Sequence, residues 1–341
     1  MEGLEKTQGA GDKTPGEGPI VDKGAGRARR QDDQGPPKVL VVGTGAVGGF
    51  YGGRLALAGA RVATLCRSEY GTVRRHGIRV DSIWGDFRFT PEKVIRRAAE
   101  YGAPPDFILV ALKVLPGVDT VEVIKDAVGP DTAIIVVQNG IGVDEPVAAA
   151  FPGNEVIGAV AFIAVSRTGP GRILHADYGR LVLGRFAAGT STRVQRLAEL
   201  FQAAGVPCEV TDDIVAARWR KLVWNAPFNP ISVLGGSVDT RTMVEMRESA
   251  DLARATMEEV LRIAAAAGHP VSSDVIDHNF EGTRAMKPIK TSMLADFEAG
   301  RPMEVEAIVG NALRTARRHG VEAPRLETLY TLLKLVERRR Q

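Results

Sequence analysis

Cysteine is scarce in this 341-residue chain, which has only Cys66 and Cys208. Two cysteines cannot build a disulfide framework, and neither has neighbours spaced as zinc ligands. A reducing cytoplasm is the expected setting. Aromatic residues make up 6%. They do not interleave with basic residues as on a nucleic-acid surface, so no nucleic-acid partner is expected. The net charge of +3 is too small to imply a polyanion, and suits a small anionic ligand equally well. Long apolar runs are also missing. The longest, residues 157–165, is far below the roughly 18 residues of a membrane span. No membrane partner and no secretory signal are expected. The five histidines, His76, His175, His269, His278 and His319, show no pair at metal-ligand spacing on a helix face, so no metal site is expected. For His175 a loop position or a satisfied place in the core is expected, not catalysis.

The rest is an ordinary globular composition, 44% hydrophobic and 25% charged, long enough for two domains. Residues 1–37 are rich in Gly, Pro, Lys and Asp. Such a stretch buries too little apolar surface to offset its ordering entropy, and a disordered tail is expected. From Lys38 short apolar runs alternate with helical patterns. Residues 39–42, 61–66, 107–112 and 133–137 read as buried strands. Residues 46–58 and 118–127 read as helices between them. Residues 78–83 and 86–90 read as a hairpin across Trp84-Gly85. Residues 156–165 and 172–183 read as antiparallel strands turning at Gly169-Pro170-Gly171. A helix over 191–204 and a strand over 207–210 follow. The pattern predicts a Rossmann-type, doubly wound α/β sheet domain over 38–211. After Thr211 only helical patterns remain, over 212–234, 240–267, 273–284, 292–298, 304–319 and 325–339. An all-helical domain, 212–341, is expected to carry substrate and catalysis.

Gly43-Thr44-Gly45-Ala46-Val47-Gly48 fits G-x-G-x-x-G between the first strand and first helix. The first glycine permits the tight turn, the second lets backbone approach a pyrophosphate, and the third packs helix on strand. The helix N-terminus offers free N–H groups to phosphates. At the end of the second strand an acidic residue would accept from a ribose 2′-hydroxyl. This chain has Cys66-Arg67-Ser68 there. Arg67 can fork onto a 2′-phosphate with Ser68 donating, so NADP (NADPH) is the expected cofactor. The alternative leaves Arg67 in solvent and gives the ribose to Glu69. Cys66, ending a buried strand, is expected to pack as a small hydrophobe. Lys113 and Gln138-Asn139-Gly140 follow the fourth and fifth runs, where they can line a crevice outside the strand ends.

Lys221, Asn225 and Asn229 stand four apart and so share one helix face. Trp219, Leu222, Val223, Trp224 and Phe228 around them point to burial. A buried polar row needs partners, and a substrate can be one. Pro227 and Pro230 remove two amide donors and are expected to kink this helix. Reduction of a ketone by hydride creates an alkoxide that needs a proton. A lysine, with an ordinary pKa of about 10.4, can donate it and stabilise the developing charge.

With these residues the chain resembles the ketopantoate reductase (2-dehydropantoate 2-reductase) family over about residues 38–338. The resemblance rests on the glycine motif with Arg67, on Lys113, on Gln138-Asn139-Gly140, and on Lys221 with Asn225 and Asn229. It extends to Thr291-Ser292-Met293-Leu294-Ala295-Asp296 and Gly300-Arg301-Pro302-Met303-Glu304-Val305-Glu306. It implies NADPH-dependent reduction of ketopantoate to pantoate, a step toward pantothenate and coenzyme A, in a cleft between the two domains. By the same resemblance Lys221 is the proton donor, and Glu304 organises Lys221 and the substrate hydroxyl. Asn225, Asn229 and Ser292 hold the substrate. Arg67 and Lys113 contact the adenosine phosphate side of the cofactor, and Asn139 lies near its ribose or nicotinamide. Glu304 also makes sense physically, since a buried ammonium needs a counter-charge. Ser292 has a second reading as a capping residue near its helix start.

Lys287-Pro288-Ile289-Lys290 departs from the family pattern: Ile289 stands where some members carry Asn, and Met303 where Thr is often found. Reduction of another branched 2-oxo acid is therefore the first alternative. A 3-hydroxyacid dehydrogenase of related two-domain type is a second. A non-catalytic NADP(H)-binding sensor is the alternative from another class. A homodimer through the helical domain is compatible with its amphipathic helices.

Overall fold

Alternation of apolar β-branched runs with helical stretches folds as the pattern requires. In the computed structural model, which describes residues 35–340, β1 (Lys38–Val42), α1 (Ala46–Leu57) and β2 (Arg61–Leu65) come first. Then follow α2 (Tyr70–His76), β3 (Ile78–Ser82), β4 (Phe87–Phe89), β5 (Lys93–Ile95), β6 (Phe107–Val110) and α3 (Thr120–Ile124). β7 (Ala133–Val136), α4 (Glu145–Ala150), the long β8 (Val156–Gly169) and β9 (Arg172–Arg185), α5 (Thr192–Ala203) and β10 (Cys208–Val210) complete this part. The expected tail lies, up to residue 34, outside the described residues.

The ten strands form one mixed sheet in the order β4-β3-β9-β8-β7-β6-β1-β2-β5, with β10 also on β9. From β5 to β8 all pairs are parallel; β9 reverses against β8, and β3 and β4 form the inserted hairpin. β1, β6 and β7 are apolar at nearly every position because both faces are covered. β1 has β2 on one side and β6 on the other. The chain direction away from β1 reverses there, which opens a crevice at the carboxyl ends of these strands.

The helical part consists of α6 (Ile214–Leu234), α7 (Thr240–Glu245), α8 (Arg247–Ala266), α9 (Asp274–Ala285), α10 (Ser292–Glu298), α11 (Asn311–Arg318) and α12 (Pro324–Arg339). It packs around its own apolar core. Among the described residues no helix is long and apolar enough to cross a membrane. Sheet and helices together form one compact unit, Pro36–Gln341, because α6 lies directly against the strand ends.

Several local expectations need correction. α6 runs as one helix through Pro227 and Pro230, the two positions at which a kink is expected. The helix expected over 240–267 is interrupted at Met246, which is extended (φ −79°, ψ 117°); no residue there signals the break. The helix expected over 304–319 begins with a wide π turn, Glu306–Gly310. The Ile141 amide donates to the Ala307 carbonyl (3.4 Å), and such a diverted acceptor fits a π turn. α2, α4 and β5 lacked a sequence signal, being short and burying one residue each.

His175 is a core residue on β9, fully buried against Phe50 and Trp84. Its Nε2 lies 2.9 Å from the Tyr178 carbonyl and its Nδ1 2.9 Å from the Ser82 hydroxyl. Nε2 must donate to the carbonyl, so Nδ1 accepts, and burial pulls the pKa below its ordinary value.

Candidate active site

The glycine motif turns where β1 meets α1. Gly43 has φ +91°, and a Cβ there would stand 2.9 Å from the Ala111 carbonyl. A Cβ on Gly48 would stand 2.1 Å from the Gly43 oxygen. These two glycines let helix and strand touch. Gly45 differs: a Cβ there meets nothing within 4 Å. It is the N-cap of α1 and provides no side-chain cap. The positive end of α1 therefore faces open space beside Thr44, Ala46 and Val47, a cradle that a pyrophosphate fits.

Beyond β2, Cys66 is buried and burial pushes its thiol up. Arg67 is exposed and, among the described residues, makes no ion pair. Glu69, the alternative ribose acceptor, is already engaged. One oxygen lies 2.7 Å from Arg167 Nη1 and the other accepts from the Gly171 amide at 3.0 Å. It braces the β8–β9 turn, leaving Arg67 as the side chain available at this strand end.

Lys113, after β6, reaches the helical part. Its Nζ lies 2.5 Å from Asp296 on α10, whose other oxygen receives Arg301 Nε at 2.9 Å. The next amide, Val114 N–H, donates to Glu304 at 2.9 Å. Glu304 is buried. Burial raises its pKa, against the opposing pull of the Val114 amide, Lys113 and the Asn139 side chain. The structure thus groups Lys113 with Glu304.

Lys221 projects from α6 to the end of β7. Its ammonium donates to Asn139 Oδ1 and to the Ala161 carbonyl, both at 2.7 Å. Lys221 and Glu304 form no ion pair; Asn139 stands between them and touches both. An ammonium has three donors. Two are used, and the third is left for the small cleft lined by Asn139, Ala161, Leu222 and Asn225. That cleft holds about 10 Å³, close to the size of one water. Burial pulls the Lys221 pKa down to about 8, with the Arg218 charge pushing the same way and Glu304 opposing.

Asn225 lines this cleft, and its side-chain amide has no partner among the described residues. Asn229, one turn on, is differently employed. Its Nδ2 donates to the Asn225 carbonyl at 3.1 Å, and its Oδ1 accepts from the Met293 amide at 3.2 Å. Ser292 Oγ donates to the same oxygen at 3.4 Å. Asn229 is a strut between α6 and the start of α10. The cap of α10 is Thr291, which accepts from Leu294 N–H, so Ser292 is not the capping residue.

Two contributors are barely signalled in the sequence. One is the Ala161 carbonyl, exposed to Lys221 near the β8–β9 bulge at Phe162/Ile163. The other is the buried Arg218–Asp144 pair beneath the 138–140 segment. A polar residue three before Lys221, on an otherwise buried helix, was its only trace.

Family models for "Ketopantoate reductase PanE/ApbA" and for its C terminal part match residues 39–188 and 213–337. The chain belongs to the ketopantoate reductase family. It is an oxidoreductase of that family. It is 36% identical over 315 residues to the 2-dehydropantoate 2-reductase of Nostoc sp., covering 89% of this chain and 96% of that one. The crystal structure of 2-dehydropantoate 2-reductase from Methylococcus capsulatus is 50% identical, with a TM-score of 0.84, and covers 89% of this chain and 98% of that one. A D-mandelate dehydrogenase solved with NADH and anilino(oxo)acetate shares the fold at 19% identity and a TM-score of 0.82, covering 89% and 99% of the two chains.

Proposed function

We propose that this ketopantoate reductase family member reduces ketopantoate to pantoate with NADPH, using Lys221 as proton donor. The observation that carries the reading is the Lys221 ammonium, held by two neutral oxygens with its third donor facing the cleft. When bound, the nicotinamide cofactor supplies the hydride. Gly45 and the first turn of α1 receive its pyrophosphate, and Arg67 receives the 2′-phosphate. Lys221 donates to the substrate carbonyl oxygen and then gives up its proton as charge develops there. Its low pKa suits it to release a proton near neutral pH. Asn225 orients the substrate without adding charge. Glu304 fixes the Asn139 amide so that its oxygen, not its nitrogen, faces Lys221. Lys113 secures the Glu304 side through Asp296. Asn229 and Ser292 hold the α6–α10 junction behind the substrate.

Purified protein tests this directly by NADPH consumption against ketopantoate and a panel of other 2-oxo acids. A kcat/KM of about 10⁴ M⁻¹s⁻¹ or more with ketopantoate, well above the panel, is the expected result. Preference for a bulkier 2-oxo acid would transfer the reaction to that substrate and place the choice near residues 287–290. Arg67→Ala is expected to weaken NADPH binding by at least about tenfold, the worth of a charge-assisted phosphate contact, and NADH hardly at all. Titration of both cofactors by fluorescence checks it; equal losses would remove the 2′-phosphate role.

A further inference from the structure

The Lys221 site sits on a second, more deeply buried charge centre that the proton-transfer scheme leaves unused. Arg218, one turn before Lys221 on α6, is 4% exposed, and Asp144, beside the start of α4, is 1% exposed. Arg218 Nε lies 2.5 Å from Asp144 Oδ2, and Nη2 donates to Oδ1 at 2.8 Å. The guanidinium also donates to two backbone carbonyls, Nη1 to Gln138 and Nη2 to Val136, both at 2.8 Å. Those carbonyls belong to the end of β7 and to the residue just before Asn139. A planar, forked donor fixes several acceptors in one orientation, which a lysine cannot do.

We propose that the Arg218–Asp144 pair is the positioning device of this active site: it clamps the 138–140 segment onto α6 and sets the charge that Lys221 feels. Asn139 then presents its oxygen to Lys221 because Gln138, its neighbour, cannot slide. Gln138 is held from the other side as well, its Nε2 donating to Leu112 O at 3.0 Å. Arg218 acts through Lys221 and Asn139 and is assigned no contact with substrate. The inference rests on Lys221 being the proton donor.

The groups that face Lys221 are few. On its own helix there is Arg218, like-charged. From the end of β7 comes Asn139, neutral; from β8 come the Ala161 carbonyl and the Phe162 ring, 5.9 Å from Nζ. Arg180 on β9 lies 4.0 Å from that same ring. From before the π turn comes Glu304, with Lys113 and Asp296 beyond it. The Arg218 charge disfavours protonated Lys221, and Asp144 partly cancels that charge.

Opposite signs follow for the two partners. Asp144→Asn leaves Arg218 uncompensated, so Lys221 loses its proton more easily. The basic limb of the kcat–pH profile is expected to move down by roughly 0.5–1 pH unit. Removing Arg218 alone would strand a buried carboxylate, so the complementary variant is Arg218→Met with Asp144→Leu, an apolar replacement of the whole pair. Its basic limb is expected to move up by a similar amount. Arg218→Lys keeps the charge and loses the fork; it should lower kcat about tenfold or more with the limb in place. Thermal melts report folding for each variant. Limbs that stay put, or move the same way in Asp144→Asn and the double variant, would reduce the pair to packing and overturn the proposal. Failure of the underlying reading looks different: the unaltered protein would then show no basic limb near pH 8, and Lys221→Ala would still turn over.

Discussion

Lys221→Ala is expected to lower kcat by about 10²–10⁴-fold, the usual worth of a positioned proton donor, while NADPH binds within about twofold of its original affinity. The geometry separates the two effects. Lys221 reaches Asn139 and the Ala161 carbonyl from α6, whereas the cradle proposed for the cofactor phosphates lies at Gly43, Gly45 and Gly48, at the head of α1. Removing the ammonium leaves two neutral acceptors that water can satisfy, so the site should stay folded. The pH dependence carries the same signature. A proton donor must be protonated, and burial with Arg218 holds the Lys221 pKa near 8. Reduction should be level below that value and fall about tenfold per pH unit above it, because the fraction of ammonium falls by that factor. Stopped-flow measurement of hydride transfer across pH 6–10 checks it. A non-catalytic NADP(H) sensor would bind cofactor identically with Ala at 221 and show no turnover in either form.

Much of this site is legible in the sequence, for identifiable reasons. The i, i+4 row of Lys221 and Asn225 survives folding unchanged because a helix fixes angular spacing locally. The tight turn at Gly43 and the helix–strand contact at Gly48 are legible too, since these constraints are steric and act within a few residues. The hairpin at 78–90 and the β8–β9 pair follow from turn residues and alternation. What stays hidden depends on long-range register. Asn229 matches the same row as Lys221 and Asn225, yet it is spent bridging α6 to Met293, because α10 docks on that turn. Lys113 looks like a crevice lysine until Asp296, far along the chain, arrives beside it. The expected Lys221–Glu304 contact is replaced by a relay through Asn139, a residue whose side-chain direction the sequence leaves unspecified. The π turn is likewise visible only once the 139–141 segment is seen against Ala307.

Gly140→Ala and Gly45→Ala should have opposite consequences, although both add one methyl group to a glycine near the cleft. Gly140 has φ +90°, and a Cβ there would stand 2.2 Å from the Ala307 carbonyl oxygen and 2.6 Å from its carbon. Both obstacles are backbone, so neither can rotate aside. Left-handed strain costs about 1–3 kcal/mol, and forced displacement in a close-packed contact about 1–3 kcal/mol more. A loss of about 2–6 kcal/mol should lower the melting temperature by roughly 4–12 °C in a chain this large. Catalysis should suffer too, since pushing residue 140 off the π turn drags Asn139 away from Lys221, and small misplacements in an active site are costly. Gly45 is extended (φ −69°, ψ −162°) with nothing within 4 Å of its Cβ position. Alanine fits there without strain, so the melting temperature should stay within about 1 °C. The methyl would instead occupy the space through which a pyrophosphate approaches α1, and NADPH affinity should fall by about tenfold or more. Differential scanning calorimetry paired with cofactor titration separates the two. An unchanged affinity in Gly45→Ala would move the phosphate site away from the head of α1. An unshifted melting temperature in Gly140→Ala would mean that the 138–140 segment yields freely, and that Asn139 does not depend on this contact for its place beside Lys221.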